Sequence, residues 1–243
     1  MAAAVFDHMK DAGVKTIAFI GYTDGYGEGW LTAAKDAAKA RRIEIVDIER
    51  FQRTDTSVDA QALKILSSNP DAVLIAASGT VAVMPQKALK ELGFAQPIYQ
   101  THGVSTMEFV RVGGKDVEGT VFPAGPVVVA NLLPDNHPSK AVGLAYIKAY
   151  EENNKTSFAA FGAHLADCDA IMLGGVKAAL EKGKPGTPEF RAALRDAVEQ
   201  THELAANHGV YNYSPTDHSG LDKRSRVLIK IVDGKWTLLP DPK

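Results

Sequence analysis

Cys168 is the only cysteine in 243 residues, so the chain can close no disulfide within itself and can build no cysteine-based zinc cage. Charge of one sign is missing too. Lys and Arg number 27 against 29 Asp and Glu, a net charge of -2, which offers no chain-wide attraction to nucleic acid or to acidic membranes. No apolar run approaches the roughly 18 residues of a membrane span. The opening MAAAVFDHMKDAG has neither a basic start nor an apolar core long enough for export, so no leader is expected within this sequence. There is no G-x-S-x-G elbow, no P-loop and no H-E-x-x-H, so catalysis is unsupported and an enzyme is not expected. Internal repeats and low-complexity segments are absent as well.

What is present is an ordinary globular composition, 45% hydrophobic and 23% charged. Through the first half, short runs rich in Val and Ile alternate with helix-patterned segments, the pattern of a parallel sheet covered by helices. Strands are expected at 15–21, 43–51, 71–77, 97–102 and 119–123, with helices near 2–12, 28–41, 58–68, 81–92 and 105–112. The third strand, DAVLIAA, is apolar almost throughout, as a strand covered on both faces should be. The fold class is therefore α/β, a doubly wound parallel sheet.

After Phe122 the alternation stops. VVVANLLPDNHPSK reads as a Pro-rich crossing segment, and helices at 139–152, 158–180 and 188–201 follow. The middle helix carries Phe161, Leu165, Cys168, Met172, Val176 and Ala179 at spacings of three and four, an apolar stripe. Three helices in a row, with no strand of their own in view, need a surface to pack against. A hairpin closes the chain, SRVLIKIV and KWTLL around Asp233-Gly234.

Ligands of open parallel sheets sit beyond the carboxyl ends of the strands. The first such place is KTIAFIGYTDGYGEGWLTAAKDAAKA, an apolar strand running through a glycine-rich, tyrosine-bearing stretch into an alanine-rich helix. It fails the dinucleotide fingerprint, because Gly25 and Gly27 would require a glycine where Trp30 stands. Two readings stand. Tyr26 could lie over a small ligand while the backbone from Gly27 to Gly29, at a helix start, receives an anionic group. Alternatively, Asp24 and the glycines make a tight turn and nothing more. The later strand tips offer Ser78, Gly79 and Thr80, then Thr101, His102 and Gly103, then Ala124. Ser78 or Thr80 could equally cap the next helix, and His102 could equally be an idle surface histidine.

Metal readings are weaker. His164 and Cys168 lie four apart on one helix, but no second pair completes a site, and packing is the expected role of Cys168. SPTDHSGLD is rich in oxygen ligands yet lacks the alternating acids of a calcium loop. No metal and no cofactor is expected.

GYTDGYGEGW, PIYQTHGVST, VEGTVFPAGP and VLIKIVDGKW, in this order, resemble the C-terminal two-thirds of type I periplasmic solute-binding proteins of ABC importers, the leucine/isoleucine/valine-binding type. The resemblance implies two α/β lobes that catch a small solute between them. Residues 1–122 and 208–243 would form lobe two, and 123–207 the crossover and helices of an incomplete lobe one. It implies a small carboxylate as ligand, a branched-chain or other hydrophobic amino acid or an aromatic acid, met by Tyr26, Gly27, Ser78, Gly79, Thr101, His102, Gly103 and Ala124. Thr101, His102 and Ala124 would form the wall. It also implies a permease partner, a periplasmic location, and self-association through the helices left without their sheet. Two other classes remain open: an NAD-dependent enzyme, with Asp47 or Glu49 ending the second strand as the ribose ligand, and a regulator's ligand-sensing module.

Overall fold

A computed structural model describes residues 1–240, so the last three residues of the expected 208–243 segment lie outside the described residues. The chain divides into two compact units, Met1–Ala124 with the chain from Val227 onward, and Gly125–Arg226. Residues 208–226 lie in the same unit as the helical segment.

Unit 1 is a seven-stranded sheet in the order β2-β1-β3-β4-β5-β8-β9. Its strands are β1 Thr16–Tyr22, β2 Glu44–Phe51, β3 Ala72–Ala76, β4 Ile98–Gln100, β5 Val121–Ala124, β8 Val227–Val232 and β9 Lys235–Leu238. The first five run parallel and the last two are antiparallel additions at one edge. Helix α1 Ala2–Asp11 precedes β1, and α2 Gly25–Arg41, α3 Asp59–Ser68, α4 Val83–Glu91 and α5 Met107–Gly113 make the crossovers. Every residue of β3 is buried, as its unbroken apolar run requires. One core cluster joins Phe6 and Met9 of α1 and Trp30, Leu31 and Ala34 of α2 to Ile17, Phe19 and Leu74 of the sheet. The closing hairpin turns at Asp233 and Gly234 with φ of 51° and 67°, the positive pair that a tight hairpin turn needs and that Asp-Gly supplies.

One local expectation is overturned here. The glycine-rich stretch is not a loop ahead of a helix at 28; α2 starts at Gly25, with Asp24 as its N-cap. An Asp side chain can satisfy the first free amides of a helix, so the helix begins directly behind it.

Unit 2 opens with a 3-10 segment, Pro126–Leu132, followed by α6 Pro138–Asn154, α7 Ala160–Leu180 and α8 Pro188–Glu199. Contrary to the sequence reading, these helices have strands of their own: β6 Leu204–Ala206 and β7 Gly209–Tyr211 pair antiparallel. The packing row of α7 also differs from the expected stripe. Ala163, Asp167, Ile171, Gly175 and Ala179 are buried. Phe161 and Leu165 are 66% and 71% exposed, and Cys168 is exposed, not packed. Small residues win the interior because α8 comes close: a Cβ on Gly175 would stand 3.0 Å from both Leu194 and Val198.

Candidate functional site

In unit 1 the strand order turns back between β1 and β3, with β2 outside one and β4 outside the other. That switch point is where an open α/β sheet leaves a crevice beyond its strand ends. The residues delivered there are Tyr22 to Tyr26 after β1, Arg53 after β2, Ser78 and Gly79 after β3, and Thr101 to Gly103 after β4.

Asp24 organises the first of these. Its Oδ1 accepts the amides of Tyr26 and Gly27 at 2.9 and 3.1 Å, and its carbonyl accepts the amide of Glu28 at 3.0 Å. Its other oxygen, Oδ2, takes a 2.6 Å hydrogen bond from Arg53 Nε. The Arg53 guanidinium beside it, with these backbone amides, holds the Asp24 carboxyl below the usual carboxylate range. Gly27 is buried for a steric reason: a Cβ there would stand 1.9 Å from the Tyr22 carbonyl oxygen.

Tyr26 is half-buried, and its hydroxyl lies 2.7 Å from Thr101 Oγ1. Thr101 Oγ1 lies 2.9 Å from the Ala77 carbonyl and can donate to it, which leaves the oxygen free to accept from Tyr26. Burial raises the Tyr26 pKa, so the phenol stays protonated and able to donate. The ring of His102 stands 5.7 Å from those of both Tyr26 and Trp30. Gly103 completes the corner, because a Cβ there would lie 2.7 Å from the Tyr26 hydroxyl and 2.8 Å from Ser78 Cβ. Ser78 is pinned by Tyr22, whose hydroxyl is 3.2 Å from both its amide and its carbonyl. Gly79 follows at φ 59°, a conformation that favours glycine.

The structure therefore brings Tyr26, Ser78, Thr101, His102 and Gly103 together, with Gly27 and Gly79 shaping the backbone around them. Three expected roles change. Gly27 and Glu28 have their amides taken by Asp24, so the helix start is already neutralised from within. Thr101 is fully buried and works as the anchor behind Tyr26, not as wall surface. Ala124, fully buried in β5 and paired with Val227, presents no surface. Ser78 gives no side-chain cap to the turn it precedes; its hydroxyl accepts from Arg53 Nη1 at 3.1 Å.

Arg53 is the residue that sequence reasoning missed. Its guanidinium carbon lies 4.1 Å from the centre of the Tyr22 ring, a cation–π contact, while the side chain stays 49% exposed. It follows β2, a strand tip from which no residue was taken for the solute, only Asp47 or Glu49 for a ribose. Asp47 and Glu49, the ribose candidates, lie inside β2, which runs on to Phe51, and Glu49 pairs with Lys64 at 3.0 Å. The strand tip that would hold a ribose thus carries a cation. No set of three or more His, Cys, Asp or Glu among the described residues could hold a metal.

The sequence profile described as "Periplasmic binding protein" matches residues 1–226. The chain belongs to that family. The family is one of solute-binding receptors and not of enzymes. A curated relative, Leu/Ile/Val-binding protein homolog 3 of Brucella melitensis, is 23% identical over 97% of this chain and 58% of its own length. An extracellular ligand-binding receptor from Rhodopseudomonas palustris superposes with a TM-score of 0.92 at 44% identity, over 97% of this chain and 66% of that one. A second receptor of that description, from Rhodopseudomonas palustris HaA2, gives 0.93 at 44% identity over 98% and 66%. The chain thus spans less than two thirds of the curated relative it matches. Among the described residues no helix is long and apolar enough to cross a membrane.

Proposed function

We propose that unit 1 is a solute-binding lobe of an ABC importer's periplasmic receptor, and that its strand-tip corner takes the carboxylate end of a small organic acid. The observation that carries this reading is Arg53, a half-exposed guanidinium at the switch point beside Ser78 and the anchored ring of Tyr26. Among the described residues two of its five N–H donors are engaged, by Asp24 and Ser78, and a planar fork is suited to a carboxylate. Tyr26 and His102 supply the apolar and aromatic side of the corner. Branched-chain amino acids come first, in keeping with the name of the Brucella melitensis relative, and aromatic acids second. The permease of such an importer is the proposed partner and the periplasm the proposed location.

The test is isothermal titration of the whole chain with leucine, valine, an aromatic acid and NAD. Removing a charge-assisted hydrogen bond costs about 1.5–3 kcal/mol, so Arg53→Ala should weaken binding of the acid by about tenfold or more. Binding that Arg53→Ala and Tyr26→Ala leave intact refutes the site, and tight binding of NAD with none of the acids refutes the reading. We also propose that the exposed apolar face of α7, with Phe161, Leu165 and Leu173, drives self-association, since monomers rarely leave such a patch open. A constant monomer mass in light scattering across a wide concentration range would overturn that.

A further inference from the structure

Unit 1 has a concavity at the end of its sheet away from the strand tips. β4 and β5 are joined by a single residue pair, Tyr99 with Val121, whereas β1 and β3 share five. Ahead of that pair the two strands part, and a cavity of about 290 Å³ opens beside Pro97 and Gly119.

The lining is cationic. The ammonium groups of Lys90 of α4 and Lys230 of β8 face the cavity beside the ring of His8 of α1, against one carboxylate, Glu118. Glu118 is already committed to the β8–β9 turn, where its two oxygens accept the amides of Asp233 at 2.9 Å and Gly234 at 3.2 Å. The Lys230 ammonium makes no hydrogen bond or salt bridge among the described residues, its backbone alone being held in the β8 ladder. Among the described residues the Lys90 ammonium has one long bond, 3.4 Å to the Phe94 carbonyl. Tyr99 adds a hydroxyl at the floor, 3.0 Å from His8 Nδ1. Burial pushes that phenol up to about 12, so it keeps its proton and can donate. Burial, with the charge of Lys230 adding to it, holds His8 below its ordinary value even though Asp11 acts the other way. Two ammonium groups against one carboxylate, whose two oxygens are turned to the Asp233 and Gly234 amides, leave a net positive charge around one small space that a bound anion would relieve.

We propose that this cavity binds a small multivalent oxyanion, of the size of inorganic phosphate or a short dicarboxylate, held by Lys90 and Lys230 above the Tyr99 hydroxyl. The volume suits such an ion and is at the small end for drug-like ligands. A ligand there would tie α1, α4 and β8 together, and it is independent of the strand-tip site, because the two lie at opposite ends of the sheet.

The experiment is calorimetric titration of the whole chain with inorganic phosphate and, separately, with succinate, each against sodium chloride of equal ionic strength. Saturable heat with phosphate, succinate or both is expected, and which of them binds assigns the class. Lys90→Gln and Lys230→Gln should each weaken it about tenfold, the scale of one lost charge-assisted hydrogen bond. Lys87→Gln, on the same helix but paired with Glu91, should leave it unchanged, and the melting temperatures of all three variants report that they fold. No saturable heat beyond chloride overturns the proposal. So does binding that the Lys90 and Lys230 variants leave intact, or that Lys87→Gln weakens equally.

Discussion

Three glycines stand two apart in the DGYGEG run, and the structure assigns them different substitution costs. At Gly27 an added Cβ would meet the Tyr22 carbonyl oxygen at 1.9 Å and the Tyr22 carbonyl carbon and amide nitrogen at 2.7 Å. Ordinary contact starts at 3.4 Å, so the start of α2 would have to move about 1.5 Å from the end of β1. Backbone cannot yield as a flexible side-chain tip can. Overpacking of this kind costs about 1–3 kcal/mol. The movement also pulls the Tyr26 and Gly27 amides off Asp24, at the ~1 kcal/mol typical of a lost N-cap. Gly27→Ala should therefore destabilise the chain by about 2–4 kcal/mol. At Gly25 and Gly29 an added Cβ meets nothing within 4 Å. Gly29 lies inside the helix, where Ala is favoured over Gly by roughly 0.5–1 kcal/mol, so Gly29→Ala should stabilise by up to that amount. Urea unfolding of the three single alanine variants, read by far-ultraviolet circular dichroism, gives the comparison. If Gly27→Ala unfolds at the wild-type midpoint, or Gly29→Ala loses as much as Gly27→Ala, the account of the β1–α2 junction is wrong.

Asp167 should act as the fastening of unit 2. The residue is 2% exposed, and its oxygens accept the Asn207 amide at 2.7 Å, Asn207 Nδ2 at 2.8 Å and the His208 amide at 2.9 Å, with His208 Nδ1 at 3.0 Å. Burial alone would raise its pKa, but the hydrogen bonds from His208 and Asn207 outweigh it and leave the carboxyl below its ordinary value. A depressed carboxylate contributes stability that is present above the unfolded value, 3.8, and lost as pH falls through the folded one. Asp167→Ala should cost about 3–5 kcal/mol at neutral pH and flatten the acid limb of the stability curve; urea melts at neutral and acid pH that run parallel to wild type would refute this. Glu203, hydrogen-bonded first by Arg224 and then by Asn212, is lowered to about 2. Carbon-detected NMR titration should find it there, and Arg224→Ala should move it back toward 4.5; an unperturbed value in the wild-type chain would deny the pairing.

The parallel sheet was legible because a strand covered on both faces must be apolar along its length, and AVLIA of β3 satisfies that without interruption. The Asp233-Gly234 turn was legible because two successive residues at positive φ leave few sequence choices. The β6–β7 hairpin was not, since Leu204, Ala205 and Ala206 of β6 carry no β-branched residue and the three residues of β7 are too few to show an alternation. The face of α7 failed for another reason. Phe161, Leu165 and Met172 satisfy a helical apolar spacing, but so do Ala163, Ile171 and Ala179, and spacing alone cannot rank the two rows. Close approach of α8 favours the row that carries Gly175, and the amides of Asn207 and His208 draw the charged Asp167 of that row indoors, where no hydropathy argument places it.

At the strand tips the sequence located residues better than it assigned their work. The rule that ligands gather beyond carboxyl ends brought Tyr26, Ser78, Thr101, His102 and Gly103 into one corner, where the structure also has them. It did not foresee competition for the helix amides. An Asp directly ahead of the first helical residue is among the strongest N-caps, and a carboxylate held by the chain itself meets those N–H groups at no cost in association entropy. An external anion would have to displace Asp24, which Arg53 also holds. On the proposed function, then, the carboxylate's partner is the guanidinium and not the start of α2. The same salt bridge that blocks the amides supplies the alternative, because it sets Arg53 beside Ser78 with most of its donors still unused.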